Sequence, residues 1–100
     1  MIVCERETPE GLLVSVCDDG LIGQKFVDGD ISIEVTESFY QGETLSEEEA
    51  VDALNRAAVA NIVGNQSVEV AIEAGVVDED RVLTIGEVKH AQVLNLARYR

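Results

Sequence analysis

The feature that most constrains the fold is a nearly continuous apolar run at residues 12–17 (LLVSVC). Turn-forming residues bound this run, with TPEG at residues 8–11 before it and DDG at residues 18–20 after it. A short apolar run between two turns is typical of a strand that is covered on both faces. We therefore expect a central strand here, joined through the first turn to a neighbouring strand at residues 1–7.

Four other segments have the pattern of strands. Residues 31–35 alternate between apolar and polar side chains, which predicts a strand with one solvated face. A short strand is expected before it at residues 26–27, and another at residues 82–85. Residues 88–96 are expected to form the last strand, with a helix as the alternative for that segment.

A capping box marks the clearest helix. Ser46 and Glu49 have the spacing at which each side chain accepts a hydrogen bond from the backbone of the other. The apolar stripe that follows predicts a helix to about residue 63, ended by Gly64. A shorter second helix is expected over residues 67–75, with a serine as its cap and a glycine at its end.

The order of these elements predicts an α+β fold, in which a two-helix hairpin packs on one face of a mostly antiparallel sheet. A length of 100 residues suits one domain, which we expect to span residues 1–100. No apolar run approaches the ~20 residues of a transmembrane helix, and the first residues lack the pattern of a secretory signal. We therefore expect a cytoplasmic protein that has no membrane partner.

The net charge of −13, from 20 acidic residues against 7 lysines and arginines, restricts the partners. Binding to a nucleic-acid backbone depends on basic side chains, so this charge disfavours it. The predicted helix pair has the spacing of a helix-turn-helix, but its second helix displays Glu69 and Glu73, so we expect no DNA binding. A basic protein partner or a ribonucleoprotein suits the charge better. The chain itself is expected to be a monomer or a homodimer.

Cysteine and histidine supply the candidates for chemistry. Cys4 and Cys17 can lie on one face of the first hairpin, and even opposite each other. When a hairpin loop has an even number of residues, the residue numbers of each directly opposed pair add up to an odd number, as 4 and 17 do. His90 can add a metal ligand, with Asp18 or Asp19 as a fourth, or it can form a nucleophilic pair with Cys17. No CxxC motif is present, so we favour reduced cysteines in the core, with a disulfide between them as an alternative, and a structural histidine. No catalytic residue, metal or cofactor is therefore predicted.

Three neutral features remain. Asn61 lies beside the apolar stripe of the long predicted helix, where its amide fixes the helix position or lines a small-molecule pocket. Tyr40, in an aromatic loop at residues 39–42, is expected to anchor a seam between helix and sheet, with an exposed partner contact as the alternative. Gly20 and Gly23 have the spacing of the GxxG loop in KH-type RNA binders, but with apolar residues between them we favour a plain turn.

Several short motifs together resemble the archaeal domain of unknown function family 424. They are residues 10–18 (EGLLVSVCD), 21–23 (LIG), 39–42 (FYQG), 60–64 (ANIVG) and 90–93 (HAQV). The resemblance covers nearly the whole chain and implies a small cytoplasmic archaeal protein without an assigned activity. It also implies which residues a shared site would involve: Cys17, Asp18, Asn61, Gly64, His90 and Gln92.

Our leading hypothesis is a non-enzymatic interaction module, with translation or RNA processing as the first processes to test. It depends on the absence of a catalytic signature and on neutral polar residues near the end of the long helix and the last strand. The expected contacts to a ligand or partner are the six residues above together with Tyr40. The alternative is an enzyme or a metal or redox protein that uses Cys17 and His90.

Overall fold

The computed structural model describes residues 1–94. Its elements are, in chain order, β1 (Ile2–Thr8), β2 (Gly11–Cys17), β3 (Lys25–Asp28), β4 (Ile31–Glu34), α1 (Glu37–Tyr40), β5 (Glu43–Thr44), α2 (Glu47–Arg56), β6 (Val59–Val63), α3 (Asn65–Glu73), β7 (Leu83–Ile85) and β8 (Val88–Leu94), with a 3-10 turn at Glu79–Arg81. Six strands form one sheet in the order β5-β1-β2-β6-β8-β7, and β3 pairs with β4 separately. Within the sheet only β2 and β6 are parallel, so the predicted α+β class and mostly antiparallel sheet are confirmed.

The first hairpin is confirmed, with β2 in the interior of the sheet as its apolar run predicts. Its register places Cys4 opposite Ser15, and Cys17 opposite Ile2. The two cysteines therefore lie on one face of the sheet, two residues apart in register. The expectation that they can lie directly opposite each other is wrong.

The predicted long helix is wrong in its second half. Its capping box is present, with Ser46 Oγ accepting from the Glu49 amide at 3.2 Å and Glu49 Oε1 from the Ser46 amide at 3.1 Å. The helix ends at Arg56, however, and residues 59–63 (VANIV) form β6, parallel to β2. A short apolar run fits a buried strand and a buried helix turn equally well, and its β-branched residues favour the strand. Asn61 therefore lies on a strand.

The two-helix hairpin is not confirmed, because β6 separates α2 from α3 in the chain. α3 begins at Asn65 with Gly64 as its N-cap, so Ser67 lies inside the helix and does not cap it. The strand at residues 82–85 and the last strand are both found, the latter as far as Leu94, and its remaining predicted residues lie outside the described part of the chain.

Both faces of the sheet carry a buried cluster. On one face, which we call the helix face, α2 and α3 pack on side chains that include Val14, Val16, Ala60 and Ile62. On the opposite face, a smaller cluster forms beneath α1 and the β3–β4 hairpin. Its buried members are Cys17, Val35, Tyr40, Val63, Ile85 and Val88. Among residues 1–94, no helix is both long and apolar enough to span a membrane.

Candidate binding face

The smaller cluster covers only part of its side of the sheet. α1 contacts β1 and β2, and the β3–β4 hairpin contacts β7. The smaller cluster includes Val63 at the end of β6, so the sheet around the start of β6 is left uncovered. Cross-strand partners point to the same face, so the register identifies the side chains that line this region. Those with accessible side chains are Leu13, Val59, Asn61, His90, Gln92 and Leu94, and we call them the open face. Each is partly or fully exposed. Ser15, the partner of Asn61 on β2, lies on the same face but is buried.

None of the six residues of the open face is acidic, although the chain carries 20 acidic residues. Leu13, Val59 and Leu94 form one apolar row across three strands, and Leu94 is 67% exposed. Asn61 and Gln92 are directly paired in the next row. Arg6 lies beside the apolar row as the partner of Leu13, and its guanidinium donates to the backbone oxygen of Ser38. The open face therefore combines aliphatic contact area with neutral hydrogen-bonding groups.

His90 lies at the border between the open face and the smaller cluster. It is half-buried, and burial lowers the pKa of its imidazole. The ring is therefore neutral at pH 7, with one nitrogen as a donor and the other as an acceptor. This character suits a hydrogen bond to a ligand or partner better than a salt bridge.

The structure does not form the Cys17–His90 pair of the alternative hypothesis. Val63 lies between them, paired with Cys17 on β2 and with His90 on β8. Two strand spacings of ~4.8 Å place the two backbones about 10 Å apart. Within the described residues, no group of three or more histidine, cysteine and acidic side chains is arranged to hold a metal ion.

The Cys17 thiol is shielded from solvent. The residue is fully buried, and this burial, with smaller effects from the Asp18 and Asp19 carboxylates, raises its pKa to about 11. A thiol with such a pKa is protonated at neutral pH and is a poor nucleophile. Cys4 is only partly buried, and the two cysteines form no disulfide.

We expect the two thiols to differ in reactivity. With a disulfide reagent such as DTNB at pH 8, Cys4 should react in the native protein, and Cys17 at least about 100-fold more slowly because its reaction requires local opening. Both should react in denaturant. The variant Cys4→Ala is the control, since it should lose the fast reaction. Rapid modification of Cys17 in that variant would contradict a closed core at this position.

Asp18 and Gly64 together fix the start of α3: Gly64 is its N-cap residue, and the Asp18 carboxylate binds its first turn. The Asp18 carboxylate accepts bonds from the backbone amides of Gln66 (3.1 Å) and Ser67 (2.7 Å), and from the Ser67 hydroxyl (2.6 Å). It therefore caps the positive end of the helix from a distant strand. Gly64 has φ +118°, and a Cβ there would lie 2.3 Å from the Asp18 carboxylate carbon. Asp18 and Gly64 therefore have a structural role at the start of α3, and this role accounts for their presence in the family motifs without a ligand.

Tyr40 is buried, as expected for an anchor. Its ring lies edge-on to Phe39 with the centroids 5.1 Å apart, and burial raises the pKa of its phenol to about 12, with a smaller effect from Cys17. Leu21 and Ile22, between the glycines of the GxxG segment, pack on the same cluster. That segment is therefore anchored to the core by the two side chains that an RNA-binding loop would present.

The structure brings together three of the seven predicted site residues, Asn61, His90 and Gln92. The other four, Cys17, Asp18, Gly64 and Tyr40, belong to the core or to the start of α3. Sequence reasoning missed the apolar row of Leu13, Val59 and Leu94. The β-branched character of residues 59–63 is the one feature that could have indicated it, since the row exists only when β6 is a strand.

The fold and the open face together define a small, acidic α+β protein with one face of its sheet covered by helices and the other partly open. The chain belongs to the family described as protein of unknown function (DUF424), whose model matches residues 5–96. This match confirms the resemblance seen in the sequence. The crystal structure of an uncharacterized conserved protein from Methanopyrus kandleri is similar, with a TM-score of 0.77 and 22% identity, covering 92% of this chain and 88% of that one. That likeness supports the fold alone, and no curated protein matches the chain.

Proposed function

We propose that this protein is a non-enzymatic, cytoplasmic interaction module whose open face binds a basic protein, free or as part of a ribonucleoprotein. The observation that carries the proposal is the absence of acidic side chains from the open face of a chain with a net charge of −13. Charged residues are depleted from the centre of protein interfaces, where apolar and neutral polar groups are dehydrated together. The open face has that composition.

The surroundings of the open face favour a basic partner. Glu10 lines a cleft together with Leu13 and Val59. Asp78 and Arg81 line a groove together with Gln92 and Leu94, and two more acidic residues, Glu79 and Asp80, lie between Asp78 and Arg81 in the chain. Acidic groups around a neutral centre attract a positively charged partner over a distance and then allow the centre to dehydrate. Translation and RNA processing are rich in basic proteins, so we propose them as the first processes in which to look.

The test is affinity capture from a lysate of the native host, with and without RNase, at the salt concentration of the host. We expect basic proteins to be retained after RNase treatment. The variant Asn61→Asp introduces a charge into the centre of the open face with almost no change in shape, and it should reduce their retention at least about tenfold. Glu69→Gln, on the exposed side of α3, is the matched control and should leave retention unchanged.

Two results would overturn the proposal. If every associated protein is lost after RNase, the contact is made through RNA. If Asn61→Asp, folded as judged by its thermal unfolding, retains the same partners as the wild type, the open face is not the binding surface.

A further inference from the structure

The last strand is paired along only part of its outer edge. β8 has seven residues, and β7, the strand beyond it, has three, which pair with Val88–His90. The chain before β7 turns away through the 3-10 turn Glu79–Arg81. In the part of the chain that the structure describes, no strand therefore lies outside residues 91–94 of β8. On its inner edge the same stretch is fully paired with β6.

The direction of the backbone groups follows from the bonds of Lys89. Its amide donates to Asn65 Oδ1 at 3.0 Å, and its carbonyl accepts from the Gly64 amide at 2.9 Å, so both point to the inner side. Backbone groups alternate in direction along a strand. The N–H and C=O of Gln92 consequently point outward, as do those of Leu94. Within residues 1–94, no backbone bond joins Gln92 to the segment that precedes β7.

A groove of about 590 Å³ lies along this edge. One wall is β8 from Gln92 to Leu94, and the other is the segment after α3, including Val76, Val77 and Asp78. Within residues 1–94, the groove thus offers main-chain groups of Gln92 and Leu94 that no other strand pairs, next to aliphatic side chains. An extended peptide uses this combination when it adds a strand to a sheet.

The charges around the groove select the occupant. Asp78 and Arg81 line the groove, and Glu79 and Asp80 are the exposed residues between them in the chain. Three of these four residues are acidic, and in the described residues no ion pair neutralises any of the three. A second copy of the chain would bring another net charge of −13 to the same place. A segment rich in lysine or arginine is the complementary occupant.

We propose that the outer edge of β8 binds an extended, basic segment of a different protein by strand addition. This proposal rests on the proposed function, since it specifies how part of the same partner is held next to the open face. Main-chain bonds to Gln92 and Leu94 would supply affinity, and the Asp78–Asp80 carboxylates would select lysine or arginine. Strand addition depends on backbone hydrogen bonds, whereas docking on the open face depends on side chains. Changes that remove only a backbone N–H therefore distinguish the two binding modes.

The probe is a fluorescent peptide of alternating lysine and valine, measured by anisotropy at low and high KCl. Three results are expected: saturable binding that weakens with salt, affinity reduced at least about tenfold when alternate amides of the peptide are N-methylated, and no binding of a glutamate–valine peptide. The N-methylated peptide retains its charge, so this comparison isolates the main-chain bonds from general attraction to an acidic protein.

The variant Gln92→Pro tests the protein side. It removes an outward N–H while leaving the bonds of β8 to β6 in place, and proline is tolerated at such edge positions. We expect it to bind the peptide at least about tenfold more weakly than the wild type. Gln92→Ala, which retains the N–H and loses the same side chain of the open face, is the matched reference, and Gln92→Pro should bind the peptide at least about tenfold more weakly than Gln92→Ala does. Thermal unfolding of both variants verifies that they are folded.

Equal binding of the N-methylated and unmodified peptides would overturn strand addition, as would equal losses in Gln92→Pro and Gln92→Ala. A wild-type homodimer in sedimentation experiments that Gln92→Pro dissociates would also overturn it, because a second copy would then occupy the edge. The two proposals fail differently. Native partners that Gln92→Pro and Gln92→Ala retain to the same extent, and that Asn61→Asp loses, would leave the open face as the binding surface and remove strand addition alone.

Discussion

Replacing Gly64 with alanine is expected to lower the free energy of unfolding by about 2–5 kcal/mol. Gly64 has φ +118° and ψ 145°, a region of backbone conformation that residues with a Cβ avoid at a cost of about 1–3 kcal/mol. The new Cβ would also lie within 2.6 Å of both Asp18 carboxylate oxygens. Moving that carboxylate breaks the cap of α3, which is worth about 1–2 kcal/mol. Chemical denaturation with urea measures the change.

Two further variants separate the cost of the backbone strain at position 64 from the cost of the collision between the new Cβ and the Asp18 carboxylate. Gly20 also has a positive φ, of +86°, but a Cβ there meets no atom within 4 Å. Gly20→Ala should therefore cost only the backbone strain, about 1–2 kcal/mol. Adding Asp18→Ala to Gly64→Ala removes the group that collides, so the double variant should be more stable than the sum of the single effects predicts. Equal losses in Gly64→Ala and Gly20→Ala would contradict a role for the carboxylate.

Local patterns in the sequence predict those parts of this fold that local interactions decide. The capping box at Ser46 is an example, because its two bonds join residues three apart. The turn between β1 and β2 is another, because residues 8–11 specify it. The end of α3, two residues before Gly75, follows from the φ of +75° that this glycine adopts. In each case the residues that decide the structure lie close together in the chain.

The strand β6 could not be predicted in this way, since its conformation is decided by distant neighbours. Residues 59–63 are flanked in the sheet by β2 and by β8, more than 25 residues away on either side. Burial between two strands outweighs the weak preferences of a five-residue segment. Because the sequence pattern places Asn61 on a helix, it does not reveal the pairing of Asn61 with Gln92 or the row from Leu13 to Leu94. The residue pattern singles out Asn61 and His90, and the family resemblance groups them with Gln92, but neither indicates that Asn61 lies on a strand beside the other two.

Between pH 9 and pH 12 the free energy of unfolding is expected to fall by about 3–5 kcal/mol. Burial raises the pKa of Cys17 from 9.0 to about 11, and that of Tyr40 from 10.0 to about 12. In the unfolded chain both groups lose their protons at the lower values, while the folded protein retains them. The folded state therefore binds more protons in this window, and stability falls as pH rises, over pH 9–11 for Cys17 and pH 10–12 for Tyr40. Each shift of two units corresponds to about 2.7 kcal/mol, and the sum is an upper value because the two groups interact.

Urea unfolding at intervals of pH measures this dependence, and two variants assign it. Cys17→Ala removes one group and should flatten the curve between pH 9 and pH 11, whatever its effect on stability at neutral pH. Tyr40→Phe retains the ring and removes the phenol, so it should flatten the curve above pH 10. A Cys17→Ala curve parallel to that of the wild type would mean that the thiol titrates normally in the folded protein. The slope of stability against pH is the informative quantity. A cavity at position 17 lowers stability equally at every pH, whereas loss of the titrating thiol changes the slope.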